Sequence, residues 1–234
     1  MPDHFQDIYA NKAALYEAMI ACEDYIGNIL PMIEGIHPLA NLDLVEFGAG
    51  TGRLTRLLAP RVKSIRAYDA AQHMLDTARE ILQATGTDNW TLEQADNQSL
   101  PAPDDCADLA IEGWSFAHAV GWYPETWREE VGKMLVEMGR VLRPGGTGLL
   151  IETMGTGSGV PQPPTPELAE FYRWLANEQG FINHTWIRTD YQFSTVPEAD
   201  ELTRFFFGDE LADRIVNEQL LILPECSGFW WKTF

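Results

Sequence analysis

The sequence predicts an α/β fold: a mostly parallel seven-stranded sheet, doubly wound and flanked by helices, with its C-terminal strand antiparallel. Three observations predict it. Short apolar runs alternate with amphipathic segments between residues 42 and 153, the pattern of repeated strand–helix units. The first run, "LDLVEF", stops at three glycines within five positions, Gly48, Gly50 and Gly52. Such a handover from strand to helix lets backbone N–H groups approach a ligand. Two late strand-like segments, 187–194 and 226–234, have only short helices between them, which places an antiparallel element at one sheet edge.

Each element has its own local reason. Leu42–Phe47 is the first strand. Leu54, Leu57 and Leu58 then share a helix face, and Pro60 ends that helix. "KSIRAYD" is the second strand, and Met74, Leu75, Ala78, Ile81 and Leu82 recur at helical spacing after it. "WTLEQAD" and "CADLAIEG" are the third and fourth strands. Trp127, Val131, Met134, Leu135, Met138, Val141 and Leu142 mark a long helix that "RPGG" stops, since Pro144 cannot continue it and the glycines permit a turn. "TGLLIET" is the fifth strand, and the Gly- and Pro-rich stretch Met154–Pro166 predicts a surface loop, long enough for a lid or a binding wall. "ELAEFYRWLANEQG" is a helix with Leu168, Phe171, Tyr172 and Leu175 inward. "IRTDYQFS" alternates, with Ile187, Thr189, Tyr191 and Phe193 on one face, and so reads as a strand. Pro197 opens a short helix over "EADELTRFFFG", and "CSGFWWKTF" is the last strand. Residues 4–33 predict helix, with Ile8, Leu15, Met19, Tyr25 and Ile26 along one side. The expected organisation is a single domain, 1–234: a helical cap (1–40), a ligand-binding core (41–153) and a segment that completes the sheet and shapes a substrate pocket (154–234).

Composition narrows the function. At 234 residues and 45% hydrophobic, the chain is large enough for one sizeable core. Its net charge of −19 repels polyanions, so a nucleic-acid substrate is not expected. The candidates for a local basic patch, Arg53, Arg56, Arg61, Lys63 and Arg66, are scattered among apolar residues. No apolar run approaches the roughly 18 residues of a membrane span, and the N-terminal stretch shows no basic cluster leading into an apolar run, so neither membrane nor leader is expected. Cys22, Cys106 and Cys226 form no CxxC pair or disulfide framework, which fits a reducing cytoplasm. No His, Cys or carboxylate cluster has metal-ligand spacing, so no metal is expected.

The glycine loop decides between ligands. A dinucleotide fingerprint, G-x-G-x-x-G, needs glycine at position 53, where this chain has Arg53. Glu46, two residues ahead of Gly48, repels a phosphate and suits an ammonium or sulfonium group. Asp69 ends the second strand, and Asp69-Ala-Ala-Gln72 is also a capping-box pattern for the next helix. "GWSFA" (113–117) is near the G-x-S-x-G nucleophile elbow but ends in Ala117 and lacks an HGGG-like oxyanion loop, which argues against a hydrolase.

"VEFGAGTGRLT" resembles the first motif of the class I S-adenosylmethionine-dependent methyltransferases. "AYDAAQHMLDTAR", "EQADNQSLP", "CADLAIEGWSFAHAV" and "GRVLRPGGTGLLIET" resemble the later motifs of that family, in order, across roughly residues 40–153. The resemblance is to its small-molecule branch, and it implies a Rossmann-like fold with S-adenosylmethionine as methyl donor and S-adenosylhomocysteine as product. It also implies contacts. Gly48, Ala49, Gly50 and Gly52 would let the backbone meet the methionine part, with Glu46 beneath it. Asp69, with Ala70, would hold the ribose hydroxyls. Asp96 would take the adenine amino group and the Asn97 N–H a ring nitrogen. Glu112 and Gly113 would offer carbonyls to the ammonium.

Methyl transfer needs alignment and dryness more than it needs a base. His118 is the candidate base, and Trp114, Trp122 and Tyr123 the candidate walls of an apolar substrate pocket, beside Phe116. Tyr9 and Tyr16 could close over the cofactor or simply pack. The expected partner is a small-molecule substrate, and the chain a monomer or homodimer. The alternatives are an NAD(P)-dependent oxidoreductase, against which Arg53 argues, and a non-catalytic S-adenosylmethionine-binding regulatory protein.

Overall fold

Alternate residues of the central strands serve opposite faces of one sheet, and this sorting builds the molecule. The structure, a computed structural model, describes residues 12–234. Its strands are β1 (Asp43–Phe47), β2 (Ser64–Asp69), β3 (Trp90–Gln94), β4 (Ala107–Gly113), β5 (Leu142–Thr156), β6 (Asn183–Arg188) and β9 (Glu225–Thr233), in the spatial order β3-β2-β1-β4-β5-β9-β6. Strands β1 to β5 pair in parallel, and β9 runs antiparallel between β5 and β6. The sheet is therefore the expected seven-stranded one with a reversed C-terminal strand.

On one face, Val45, Phe47, Ala110 and Leu150 pack with helices α6 (Trp127–Val141) and α7 (Pro166–Asn177), through Val131, Leu135, Met138, Phe171 and Leu175. On the other, Leu44, Ile65, Leu109, Ile111, Leu149 and Ile151 pack with α2 (Ile29–Ile36) and α3 (Arg53–Leu58), through Ile33, Leu54 and Leu58. Burial on both faces is what a parallel sheet with crossover helices requires. Helix α4 (Gln72–Gln83) buries Met74, Leu75, Ala78 and Leu82 as the spacing predicts.

Four expectations change. The run 187–194 is not one strand: β6 stops at Arg188, and Tyr191–Gln192 is a separate strand, β7, paired with β8 (Ile222–Leu223). Asp190 explains the break, since its carboxylate accepts from Arg188 Nε at 2.7 Å and from the Glu225 N–H at 3.0 Å. Thr189, Tyr191 and Phe193 are still buried, Tyr191 and Phe193 because they turn into a third cluster and Thr189 against the Ser227 hydroxyl at 2.7 Å. That cluster joins α8 (Val196–Phe207) and the unanticipated α9 (Asp209–Glu218) to Met19 of α1 (Ala13–Ile20). "RPGG" does not separate helix from strand. The helix ends at Val141, and the register jump from Leu142 to Thr147 loops Pro144 and Gly145 out as a bulge within β5. The segment 4–33 is not one helix: α1 ends at Ile20, and of the described residues predicted along its inward side only Met19 is buried, Leu15 and Tyr25 being exposed and Ile26 62% exposed. Ile8 and Tyr9 lie outside the described residues. Finally, β5 reaches Thr156, three residues into the predicted loop.

Candidate active site

Residues from the C-terminal edges of β1, β2 and β4 meet at one crevice. The chain leaves β1 at Glu46-Phe47 and makes three positive-φ turns at Gly48 (+65°), Gly50 (+54°) and Gly52 (+81°) before α3. Only glycine adopts these angles freely. At Gly48 there is a second reason: a Cβ there would lie 2.1 Å from Ser115 Oγ, so the β4 turn rests against bare backbone.

Asp69, at the end of β2, ties this loop down. Its Oδ2 accepts from the Gly50 N–H and its Oδ1 from the Ala71 N–H, both at 2.8 Å. Burial raises its pKa, and those two N–H groups oppose the rise. The capping-box reading is thus corrected: the N-cap of α4 is Ala71, without a side-chain cap, because Asp69 is engaged with the loop instead.

Gly48, Gly50, Asp69, Gly113, Trp114 and His118 line one cavity of about 70 Å³, together with Tyr16, Met74 and Ser115. Trp114 has φ +55°, a left-handed backbone that a bulky side chain adopts only under constraint. Its ring lies 4.1 Å from the Arg53 guanidinium, which pairs with Glu23 at 2.7 Å. His118 begins a short helix, α5 (His118–Trp122), and stacks on Trp122 with ring centres 5.0 Å apart. Tyr16 comes from α1, and that helix is fastened to the glycine loop. Glu17 accepts from Thr51 Oγ1 at 2.5 Å and from Arg56 at 2.9 Å.

The other sequence-predicted residues stand back from the cavity. Glu46 is buried beneath the loop, where its Oε2 accepts from Thr55 Oγ1 at 2.5 Å and burial pushes its pKa up to about 8. Ala49 donates its N–H to the Tyr68 carbonyl, and Ala70 is exposed. Asp96 is exposed and accepts from the Gln98 N–H, whereas the Asn97 side chain donates to Ser115 Oγ at 2.9 Å. Tyr123 is 47% exposed, and Phe116 is core, edge-on to Phe47. Glu112 contributes its buried carboxyl to the turn after β4, accepting from the Ser115 and Phe116 N–H groups. Sequence reasoning missed Met74, Glu152 and the pairing of Arg53 with Trp114. Met74 and Glu152 carry only apolar and strand signals, and the Arg53–Trp114 contact joins positions 61 apart in sequence.

Residues 44–146 match the methyltransferase domain family. The uncharacterized protein YafE of Escherichia coli is 34% identical over 110 residues, 47% of this chain and 49% of that protein. The malonyl-[acyl-carrier protein] O-methyltransferase of Serratia marcescens is 29% identical over 184 residues, 77% of this chain and 63% of that protein. The chain thus spans roughly half to under two-thirds of those relatives. The YcgJ protein of Bacillus subtilis shares the fold, with a TM-score of 0.57 and 19% identity over 88% of this chain and 98% of that one. With its glycine loop, acid-ended second strand and reversed last strand, the chain resembles the methyltransferase domain family over residues 44–146 and shares its fold with YcgJ.

Proposed function

We propose that this chain is an enzyme that moves a methyl group from S-adenosylmethionine to a small-molecule acceptor. One observation carries the reading: Asp69 at the cavity wall, one oxygen held by the Gly50 N–H of the glycine loop and the other by the Ala71 N–H, with acceptor capacity left on both. That is an acceptor pair for a diol, beside bare backbone at Gly48 and Gly50. The same acid would suit the ribose of a dinucleotide, against which Arg53 argues, standing where that fingerprint needs its third glycine. The residues fit the donor in kind. In volume, about 70 Å³ is far below the roughly 300 Å³ of a small-molecule site. Tyr16 of α1 is one of the cavity walls, and on this reading the donor enters by displacing that side chain.

The bound donor supplies a methyl carbon already activated by its sulfonium. The chain's own residues align and dry the crevice: Trp114, Met74 and Tyr16 wall it, and the Arg53 guanidinium fixes the Trp114 ring from behind. His118 at the rim takes the proton when the acceptor is a hydroxyl, and an acceptor that is already anionic needs no base. The name of the Serratia relative makes an oxygen nucleophile the first acceptor class to assay.

Titration calorimetry with S-adenosylhomocysteine and with NADH tests the donor, and release of S-adenosylhomocysteine in a metabolite extract tests turnover. Binding of S-adenosylhomocysteine alone, with turnover, is expected. Binding of NADH alone would overturn the reading, and binding of S-adenosylhomocysteine without turnover in any extract would leave a regulator.

A further inference from the structure

Two buried carboxyl groups stand side by side behind the cavity, and no step above uses them. Glu112, on β4, and Glu152, on β5, are 0% and 2% exposed. Their strands pair in parallel with Glu112 opposite Leu150. Glu152 therefore lies diagonally ahead on the same face, within reach of a long side chain. Glu112 Oε2 accepts from the N–H groups of Ser115 at 3.0 Å and Phe116 at 3.2 Å, and Glu152 Oε1 accepts from the Ala117 N–H at 2.7 Å. Together they bind three consecutive N–H groups of the turn that holds Trp114 in its left-handed conformation and starts the helix of His118. Glu112 Oε1 is buried with no donor among the described residues. A proton held between the two carboxyls gives it one.

We propose that Glu112 and Glu152 are positioning residues that clamp the 114–117 turn and so hold Trp114, Ser115 and His118 against the cofactor cavity. This rests on the methyl-transfer reading for what the cavity binds. Two adjacent buried carboxylates cannot both be charged cheaply, so the clamp is strong only while the pair keeps a proton. Burial pushes Glu112 up to about 8, and Glu152 is raised by burial and by the Glu112 charge beside it. The other titratable groups facing the pair are Tyr172 of α7, whose hydroxyl donates to the Thr153 carbonyl at 2.6 Å, and, near Tyr172, Glu225 of β9. Both are acids, so neither offsets a second negative charge. Glu112 is thus the first to ionise, above about 8, and its charge strengthens the bonds from the Ser115 and Phe116 N–H groups while Glu152 keeps the pair's proton.

Glutamine tests this cleanly. In Glu112→Gln the carbonyl oxygen still accepts from the turn, and the NH₂ permanently replaces the shared proton; Glu152→Gln does the same from the other side. Two readouts follow pH from 6 to 9.5: calorimetric affinity for S-adenosylhomocysteine, and hydrogen-exchange protection of the Ser115, Phe116 and Ala117 amides. In the wild type, protection of the three amides and affinity should both hold across that range, whereas in Glu112→Leu, which offers the turn no acceptor, both should drop about tenfold at every pH. In either glutamine variant both should stay flat, with affinity at pH 7 within about threefold of the wild type. A Glu112→Leu variant whose three amides keep the wild-type protection overturns the clamp, and so do glutamine variants that lose it as the leucine variant does. If S-adenosylhomocysteine fails to bind at any pH while exchange behaves as expected, the clamp stands and the cofactor reading falls.

Discussion

Substituting Gly48 by alanine probes the closest approach in the crevice. Two costs can be worked from the geometry. At φ +65° an L side chain costs about 1–2 kcal/mol. The new Cβ would also stand 2.1 Å from Ser115 Oγ and 2.5 Å from Ser115 Cβ, so the turn after β4 must retreat. Retreat breaks the 2.9 Å bond from Asn97 to Ser115 Oγ, worth about 1 kcal/mol. The sum is about 2–3 kcal/mol, or a fall of about 4–12 °C in melting temperature for a chain of this size. Because the shifted turn carries Trp114 and His118, affinity for S-adenosylhomocysteine should fall along with stability. The control is the Ser115→Gly background, in which the clash is gone but the strained φ remains. There the Gly48→Ala penalty should shrink by about 1 kcal/mol, a coupling that only contacting residues show. Thermal melts and calorimetry on the four proteins decide it. If Gly48→Ala melts with the wild type and binds as tightly, or if the two penalties simply add, the packing of the β4 turn on the glycine loop is not as described.

Asp69→Asn keeps one acceptor oxygen but turns an NH₂ toward either the Gly50 or the Ala71 N–H. Affinity for S-adenosylhomocysteine should fall about 10- to 100-fold, as the loss of charge-assisted bonds implies. Calorimetry showing less than a twofold change would remove Asp69 from the site. Stability should fall as pH rises from about 5 to 8. Burial lifts Glu46, Glu112 and Glu225 each to about 8, above the roughly 4.3 of an unfolded glutamate. The folded chain thus holds protons that the unfolded chain releases, and stability drains across that window. Melting curves at pH 5.5, 6.5 and 7.5 check the sign, and a melting temperature that climbs over this range would contradict it.

Much of this was legible in the sequence because local chemistry dictates it. The five parallel strands follow from apolar runs punctuated by glycine and proline. Gly48, Gly50 and Gly52 announce a bend that other residues resist, and Asp69 sits where a strand of that length must end. These are effects within one element, and a linear pattern records them. Tertiary structure alone decided the rest, because the partners are far apart in sequence. Asp69 abandons its capping pattern for the Gly50 N–H, 19 residues away. Asp190 breaks a regularly alternating run because the Glu225 N–H, 35 residues on, needs an acceptor. Glu112 and Glu152 read as ordinary strand residues until the β4–β5 register sets them side by side, and Trp114 takes a left-handed backbone only because its neighbours are held on both sides. Residue type and spacing set which elements form. Only the register and the closed core determine which buried polar groups must satisfy one another.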